Sequence, residues 1–281
     1  MFHMFRKVAD MKVVLFCGGQ GIRLREYSDL VPKPMITIGY RPILWHLMKY
    51  YAHFGHKEFI LCLGHKANVI KDYFLNYNEC VSNDFTLSQG GRSVELANRD
   101  IADWSITFVD TGPSATIAER LLAVQPYLEG QESFLANYSD NLTDLHLPEL
   151  IEDFETRRPV AAFLAVRPRQ SFHVVQFGDD HRVRQIVDIG KADVWINGGY
   201  FVLSDTIFDY IRAGEELVNG PFDRLIEEGR LHAHRYDGFW ACMDTLKDKQ
   251  LLDEMYMQGQ ALWQVWQHPN AQSVPSIEMT P

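Results

Sequence analysis

Hydrophobic residues recur along the chain in two alternating rhythms. Short β-rich runs at 12–16, 58–63, 106–109 and 133–137 are followed by stretches whose apolar positions return at helical spacing. The clearest of these begins at Pro42, with Ile43, Leu44, Leu47, Met48, Tyr51 and Phe54 on one face. Proline suits the first turn of such a helix and Gly55 its C-terminal cap. Further helices are predicted at 68–77, with Val69, Ile70, Tyr73 and Phe74 inward, and at 115–128 and 147–156. Strand–helix alternation of this kind predicts an α/β fold, a doubly wound and mostly parallel sheet with helices on both faces. After Pro159 the rhythm changes. Strand-like runs at 160–166, 172–177, 183–187 and 200–203, with turn-rich links, predict a smaller mixed-sheet lobe. Helices return at 205–212, 221–228 and 245–258.

There is no internal repeat, low-complexity tract or flexible linker. Residues 11–281 therefore read as one domain: a first half at 11–158, a second at 159–245 and a C-terminal helical segment at 246–281. Residues 1–10 read as an N-terminal extension, because strand-like sequence starts directly after Met11. The apolar segment 261–266 either covers a partner subunit, in a homo-oligomer, or folds back on the core.

Composition sharpens this picture. With 46% hydrophobic and 23% charged residues the chain is globular rather than disordered. The longest apolar runs are of strand length, so no transmembrane helix is expected and a membrane partner is excluded. Twenty-seven basic against 37 acidic residues give a net charge of −10, which argues against a nucleic-acid partner. A local loop or a metal can still hold a small anion in an acidic protein. Cys17, Cys62, Cys80 and Cys242 form no CxxC pair, and residues 1–10 lack the apolar core of a signal peptide. Reduced thiols in the cytoplasm are expected.

Candidate chemistry begins after the first strand, where Cys17 leads into Gly18-Gly19-Gln20-Gly21-Ile22-Arg23-Leu24. Ligands in open α/β sheets sit at the carboxyl ends of the strands, and glycines let successive N–H groups surround a phosphate. The loop is not a P-loop, since no Gly-Lys-Ser/Thr follows. Nor is it a dinucleotide fingerprint, since Leu24 stands where the third glycine is required. Arg23 and the proline-flanked Lys33 of Val31-Pro32-Lys33-Pro34-Met35 supply positive charge beside it.

Several segments together resemble the sugar-phosphate nucleotidylyltransferase family, and within it the cytidylyltransferases. They are the glycine loop, Pro32-Lys33-Pro34-Met35, Ile43-Leu44-Trp45-His46, Asp110-Thr111-Gly112, Ile196-Asn197-Gly198-Gly199, Phe239-Trp240 and Met243-Asp244-Thr245. The resemblance runs in order over roughly 11–266. It implies a Rossmann-like sheet of the nucleotidyltransferase type. It also implies transfer from CTP to a sugar 1-phosphate, α-D-glucose 1-phosphate above all, with release of pyrophosphate for surface-polysaccharide synthesis. Cys17, Gly18, Gly19, Gly21, Arg23, Thr111 and Arg120 would contact the nucleotide, with Arg23 and Lys33 acting on its phosphates. Asp140 and Asp244 would hold Mg²⁺, the cofactor, whose octahedral shell prefers carboxylate, water and phosphate oxygens. Each has a plainer alternative: Asp140 in a turn, Asp244 capping the helix that follows. Asn197, Gly198 and Gly199 would reach the sugar, unless they form only a tight turn. Trp240 either flanks the sugar or belongs to the core, and Trp45 and His46 are expected to be packing residues.

The chain departs from the family at several of these positions. Ile22 replaces a threonine, and Ile117-Ala118-Glu119-Arg120 replaces Thr-Gly-Gly-Arg with only Arg120 kept. Asp188 falls where the family's Glu-Lys-Pro lysine holds the sugar phosphate, a reversal of charge for which Lys191, Arg167 or Arg169 could compensate. A different phosphorylated or phosphonate acceptor is one alternative. A catalytically silent nucleotide-binding paralogue is another, disfavoured by retention of Arg23, Lys33, Asp140 and Asp244.

Overall fold

The computed structural model describes residues 10–19, 31–168 and 172–267. The walk along the chain starts with β1 (Val13–Phe16), short β2 (Thr37–Ile38) and β3 (Arg41–Pro42), and helix α1 (Ile43–His53). Next come β4 (Glu58–Leu63), α2 (Ala67–Leu75), the hairpin β5 (Phe85–Ser88) and β6 (Ser93–Leu96), β7 (Ser105–Asp110) and α3 (Ile117–Val124). Then follow β8 (Ser133–Asn137), β9 (Asn141–Thr143) and α4 (Leu147–Arg157). The second half holds β10 (Ala161–Val166), β11 (His173–Phe177), β12 (Val183–Asp188), β13 (Ile196–Ser204), α5 (Pro221–Glu227), β14 (Leu231–Tyr236), β15 (Trp240–Cys242) and α6 (Leu246–Met257).

Seven strands form the main sheet in the order β14-β10-β13-β8-β1-β4-β7. Neighbours run parallel except around β13, which is antiparallel to both β8 and β10. The sheet is therefore mostly parallel, with one reversed strand, and its core is split between two faces. Along β1, Val13 and Leu15 pack with α1 and α4, whereas Val14 and Phe16 pack with α3 and α5. This two-residue alternation under helices on both sides is what a doubly wound sheet requires.

The predicted strands at 58–63 and 133–137 match β4 and β8 residue for residue, and α1 ends at His53 with Phe54 as its cap, one residue before the expected Gly55, which follows at φ +98°. Pro42 sits one residue earlier than expected, as an extended cap before the helix. The helix expected at 115–128 stops at Val124 and tightens into a 3₁₀ turn at Gln125–Leu128, where Pro126 removes an N–H. The stretch expected as helix at 205–212 is a 3₁₀ helix at Asp205–Tyr210. The hairpin of β5 and β6, the edge strand β14 and the short ladder of β9 with β15 were not anticipated. The hairpin is largely exposed, the ladder strands are three residues long, and β14 (LHAHRY) is mostly polar, so none carries a clear apolar pattern.

The C-terminal segment folds back on the core: Trp263 is fully buried, stacks on Phe239 and donates from Nε1 to His46 Nδ1 at 3.3 Å. His46 in turn meets the Ile38 carbonyl through Nε2 at 3.0 Å, so Trp45-His46 is a packing pair, as expected. Among the described residues, no helix is long and apolar enough to cross a membrane.

Candidate active site

Three carboxyl-end features converge above the middle of the sheet. Beyond β1, Cys17 N–H bonds the Cys62 carbonyl at 2.9 Å, continuing the ladder into the glycine loop. The Cys17 thiol is buried and lies 3.5 Å from Ser139 Oγ; burial pushes it up to about 12, against the Ser139 hydrogen bond. Gly19 has open space where a Cβ would stand. Gly21, Arg23 and Arg169 lie outside the described residues.

Behind the loop sits Arg120, 3% exposed. It donates from Nη2 to the Gly18 carbonyl at 3.2 Å, and from Nη1 to Thr111 Oγ1 at 2.5 Å and the Leu63 carbonyl at 3.3 Å. Thr111 Oγ1 also donates to the Leu63 carbonyl at 2.7 Å. A side chain on Gly18 would collide with this guanidinium. Gly64, not anticipated as a site residue, is confined in the same way: a Cβ there would lie 2.8 Å from both the Gly112 and Gly18 carbonyl oxygens. Arg120 and Thr111 thus tie the ends of β1, β4 and β7 together.

The second feature is acidic. After β8 the chain turns through Ser139, held at φ +68°, and delivers Asp140 at the start of β9. Strand β9 pairs antiparallel with β15, Asn141 opposite Cys242, and Met243 N–H bonds the Asp140 carbonyl at 2.9 Å. This ladder brings Asp244, far away in sequence, beside Asp140. Thr245 rather than Asp244 caps α6: its hydroxyl accepts from Asp248 N–H in a capping box.

Lys33, on a 3₁₀ turn opened by Pro32, completes the cluster. Its Nζ donates to Asp140 Oδ2 at 2.6 Å and to Asp244 Oδ1. Burial works against the ammonium, but the Asp140 carboxylate, aided by Cys242 and Asp244, outweighs it and holds the lysine above its ordinary value. Burial lifts Asp140 above the usual carboxylate range, against the pull of Lys33 and with a push from Asp244. Cys242, not anticipated here, joins them: one ligand atom each from Asp140, Cys242 and Asp244 lie within 4.8 Å of one another. It is the one such group of three among the described residues. An ammonium ion lodged between two carboxylates shows that the pocket stabilises positive charge, so these residues fit a divalent cation.

The third feature is the start of β13. The strand begins at Ile196, earlier than predicted, and Gly199 sits in it at φ +77° beside Asn141. Asn197 Oδ1 accepts from Gly199 N–H at 2.9 Å and its Nδ2 donates to Tyr138 Oη at 3.3 Å. Trp240 is 6% exposed and donates to the Gly198 carbonyl at 2.8 Å, so it packs under this strand as a core residue. Beside it opens a cavity of ≈190 Å³ lined in part by Arg167, Pro168, Gly190, Tyr236 and Trp240. Arg167 is held by Asp237 Oδ1 and the Ala192 carbonyl, both at 2.9 Å. The exposed Asp188 accepts from Gly190 N–H at 2.8 Å and caps the short turn there.

A sheet of this topology, with an acid pair and a lysine at its carboxyl edge, is that of a doubly wound α/β protein with a polar cluster where such folds bind ligands. The chain belongs to the Nucleotidyl transferase family, whose profile matches residues 12–245. It is 38% identical over 261 residues to the glucose-1-phosphate cytidylyltransferase of Salmonella typhi, covering 92% of this chain and all of that protein. It is 37% identical over 258 residues to a probable glucose-1-phosphate cytidylyltransferase of Bacillus subtilis (strain 168), covering 91% of this chain and again the whole relative. Among solved structures the fold is shared with HddC from Yersinia pseudotuberculosis, at TM-score 0.63 and 21% identity over 88% of this chain and 99% of that one. A UDP-glucose pyrophosphorylase complexed with UDP-glucose superposes at TM-score 0.64 and 14% identity, over 89% and 99% of the two chains.

Proposed function

We propose that the protein joins CTP to a sugar 1-phosphate, glucose 1-phosphate in the first instance, giving a CDP-sugar and pyrophosphate. The observation that carries this reading is the Lys33–Asp140–Asp244 cluster at the carboxyl edge of the sheet. The full-length identity to cytidylyltransferases supports the choice of base and acceptor. In the reaction an acceptor phosphate oxygen attacks the α-phosphorus; the new O–P bond forms as the bond to pyrophosphate breaks and its electron pair leaves with that group. Two anions must meet, so the protein's task is positioning and charge neutralisation.

The glycine loop would offer backbone N–H groups to the triphosphate and Arg23 would bind the same phosphates, while Arg120, bonded to Thr111, holds the start of the loop at the Gly18 carbonyl. Lys33 carries a fixed positive charge at the transferring centre. Asp140 and Asp244 would hold Mg²⁺, which when bound supplies charge neutralisation on the phosphates. Asn197, Gly198 and Gly199 present the sugar strand, supported by Trp240. On this reading 11–158 is the nucleotide half of one domain and 159–245 its acceptor half, the protein works in the cytoplasm, and it assembles as a homo-oligomer.

One observation favours a second reading of the acceptor. Asp188, where the resemblance expects a phosphate-holding lysine, is spent on the Gly190 turn, and the cation at the nearby cavity is Arg167. A phosphorylated or phosphonate compound other than glucose 1-phosphate fits that altered arrangement. Pyrophosphate release, assayed with Mg²⁺ across four nucleoside triphosphates and a panel of sugar 1-phosphates, separates the two. Release with CTP and glucose 1-phosphate supports the first. Release with CTP only for another acceptor supports the second, and no CTP-dependent release with any acceptor overturns both.

A further inference from the structure

A second opening lies beside the acid pair, on the same edge of the sheet. Strand β13 is antiparallel to both β8 and β10, and β10 is parallel to β14, so the chain leaves β8, β10 and β14 on one side. The ≈190 Å³ cavity lies there, walled by the segments that follow β10 and β14, by Gly190 and by Trp240. That is small against the roughly 300–1,000 Å³ of sites that enclose a whole ligand, and suits one end of a ligand. Strand β15 ties it to the acid pair. Trp240 forms one wall, and Cys242, two residues and roughly 7 Å further on, has its sulfur within 4.8 Å of a carboxylate oxygen of both Asp140 and Asp244.

Among the described residues lining the cavity, Arg167 is the one basic side chain. Its guanidinium lies 4.5 Å from the centroid of the Trp195 ring, and Nη1 donates to the Ala192 carbonyl at 2.9 Å. Stacking of this kind fixes the planar fork and uses none of its donors. Nε donates to Asp237 Oδ1 at 2.9 Å, while Asp193 stands 4.0 Å from Nη1. The Arg167 side chain is 36% exposed and that of Asp237 70%, so theirs is a surface pair that stabilises little. A phosphate dianion offers the fork two oxygens at once, in charge-assisted bonds. Lys191 does not line the cavity, and Asp188 is turned to the Gly190 N–H.

We propose that Arg167 is the specificity-determining cation of the acceptor half, taking the acceptor's phosphoryl or phosphonate group, and that Asp237 is its counter-ion in the empty site. The inference rests on the transfer reaction proposed above and supplies the charge that Asp188 does not. On binding, Arg167 exchanges the Asp237 carboxylate for the acceptor's oxygens and keeps Ala192 and Trp195 as supports. Two cations then serve the transfer, Lys33 at the acid pair and Arg167 on the acceptor side. Asp237 competes with the acceptor for the same fork.

A pair of variants separates this role from a structural one. Arg167→Met should raise the KM for the acceptor about tenfold or more, with the KM for CTP unmoved. Asp237→Asn should lower the acceptor KM about two- to fivefold, because the competitor is gone. Arg167→Lys keeps the charge without the fork or the stack, and should fall between wild type and Arg167→Met. If the two residues only brace the strand ends, both variants break the same bond and shift the acceptor KM in the same direction or not at all. That result overturns the inference. Should Arg167→Met fail to fold, labelling of the nucleotide-free wild type with phenylglyoxal, read by peptide mass spectrometry, decides. Labelling of Arg167 should be lost at saturating inorganic phosphate while that of the exposed Arg182 continues; labelling of Arg167 that phosphate leaves unchanged overturns the inference. Pyrophosphate release with Arg167 unprotected sinks this inference alone. Protection of Arg167 without CTP-dependent release for any acceptor sinks the proposed function alone.

Discussion

Lys33 illustrates how much a single side chain's surroundings decide. Alone and buried, its ammonium would be stripped of charge; between Asp140 and Asp244 it is held protonated. Lys33 was legible as a lysine fenced by prolines and Asp140 as an aspartate directly after a strand, whereas Asp244 came only from the family resemblance, against the alternative of a helix cap that Thr245 fills instead. Cys242 was not legible, because its proximity comes from a ladder between strands of three residues each, too short to leave a hydrophobic rhythm. Asp140→Asn keeps the shape and removes the charge. Turnover in the pyrophosphate assay should fall at least about 100-fold, with the melting temperature nearly unchanged. A second residue-scale prediction concerns His46, buried between Ile38 and Trp263 and lowered to about 4 mainly by that burial, with the backbone bond from Ile38 opposing it. Below about pH 6.5 the unfolded chain takes up a proton that the folded chain refuses until about pH 4. Stability contributed by neutral His46 is therefore complete above pH 6.5 and lost as pH falls toward 4, a change on the order of 3 kcal/mol. Denaturant unfolding at pH 7.5, 5.5 and 4.5 measures it, and His46→Gln should flatten the dependence.

Among the elements, β13 shows most plainly where sequence reading stops. Its apolar run from Tyr200 was evident, but Asn197-Gly198-Gly199 read as a turn before the strand or as a sugar contact. In the structure these residues are already strand, and the left-handed Gly199 makes room for Asn141. Asn141 Nδ2 donates to Asp140 Oδ1 at 3.3 Å, so the irregularity in β13 reaches the acid pair through one intervening side chain. Gly199→Ala would strain the backbone and drive a methyl group into Asn141. The expected cost is about 2 kcal/mol of stability, seen as a lower urea midpoint, together with a fall in kcat larger than any change in KM for CTP.

At the scale of the whole molecule, the strand–helix alternation announced the doubly wound sheet because each buried strand is apolar on both faces and each helix on one. The reversal of β13 and the outer position of β14 were not legible, since pairing direction depends on connections and not on periodicity. Arg120 shows the same limit. Its motif resembles a nucleotide contact, and only the three-dimensional structure shows that its side chain also braces three parallel strands from behind the loop. Arg120→Met should therefore cost about 3 kcal/mol in urea unfolding, because two buried carbonyls and the Thr111 hydroxyl lose a charged donor. A role confined to touching nucleotide would instead leave apo stability intact and raise only the KM for CTP.

The pairing of β9 with β15 also sets a timetable. Asp140 leaves the ribosome long before Asp244, and the ladder that seats the two side by side cannot form until Cys242 has been made. Until then the glycine loop and Lys33 have no complete acid pair to work with, and Trp263, which closes over α1, has yet to emerge. On the proposed function, a chain that stops short of β15 can thus build its main sheet and still be inert, so that activity itself certifies that synthesis has passed Asp244.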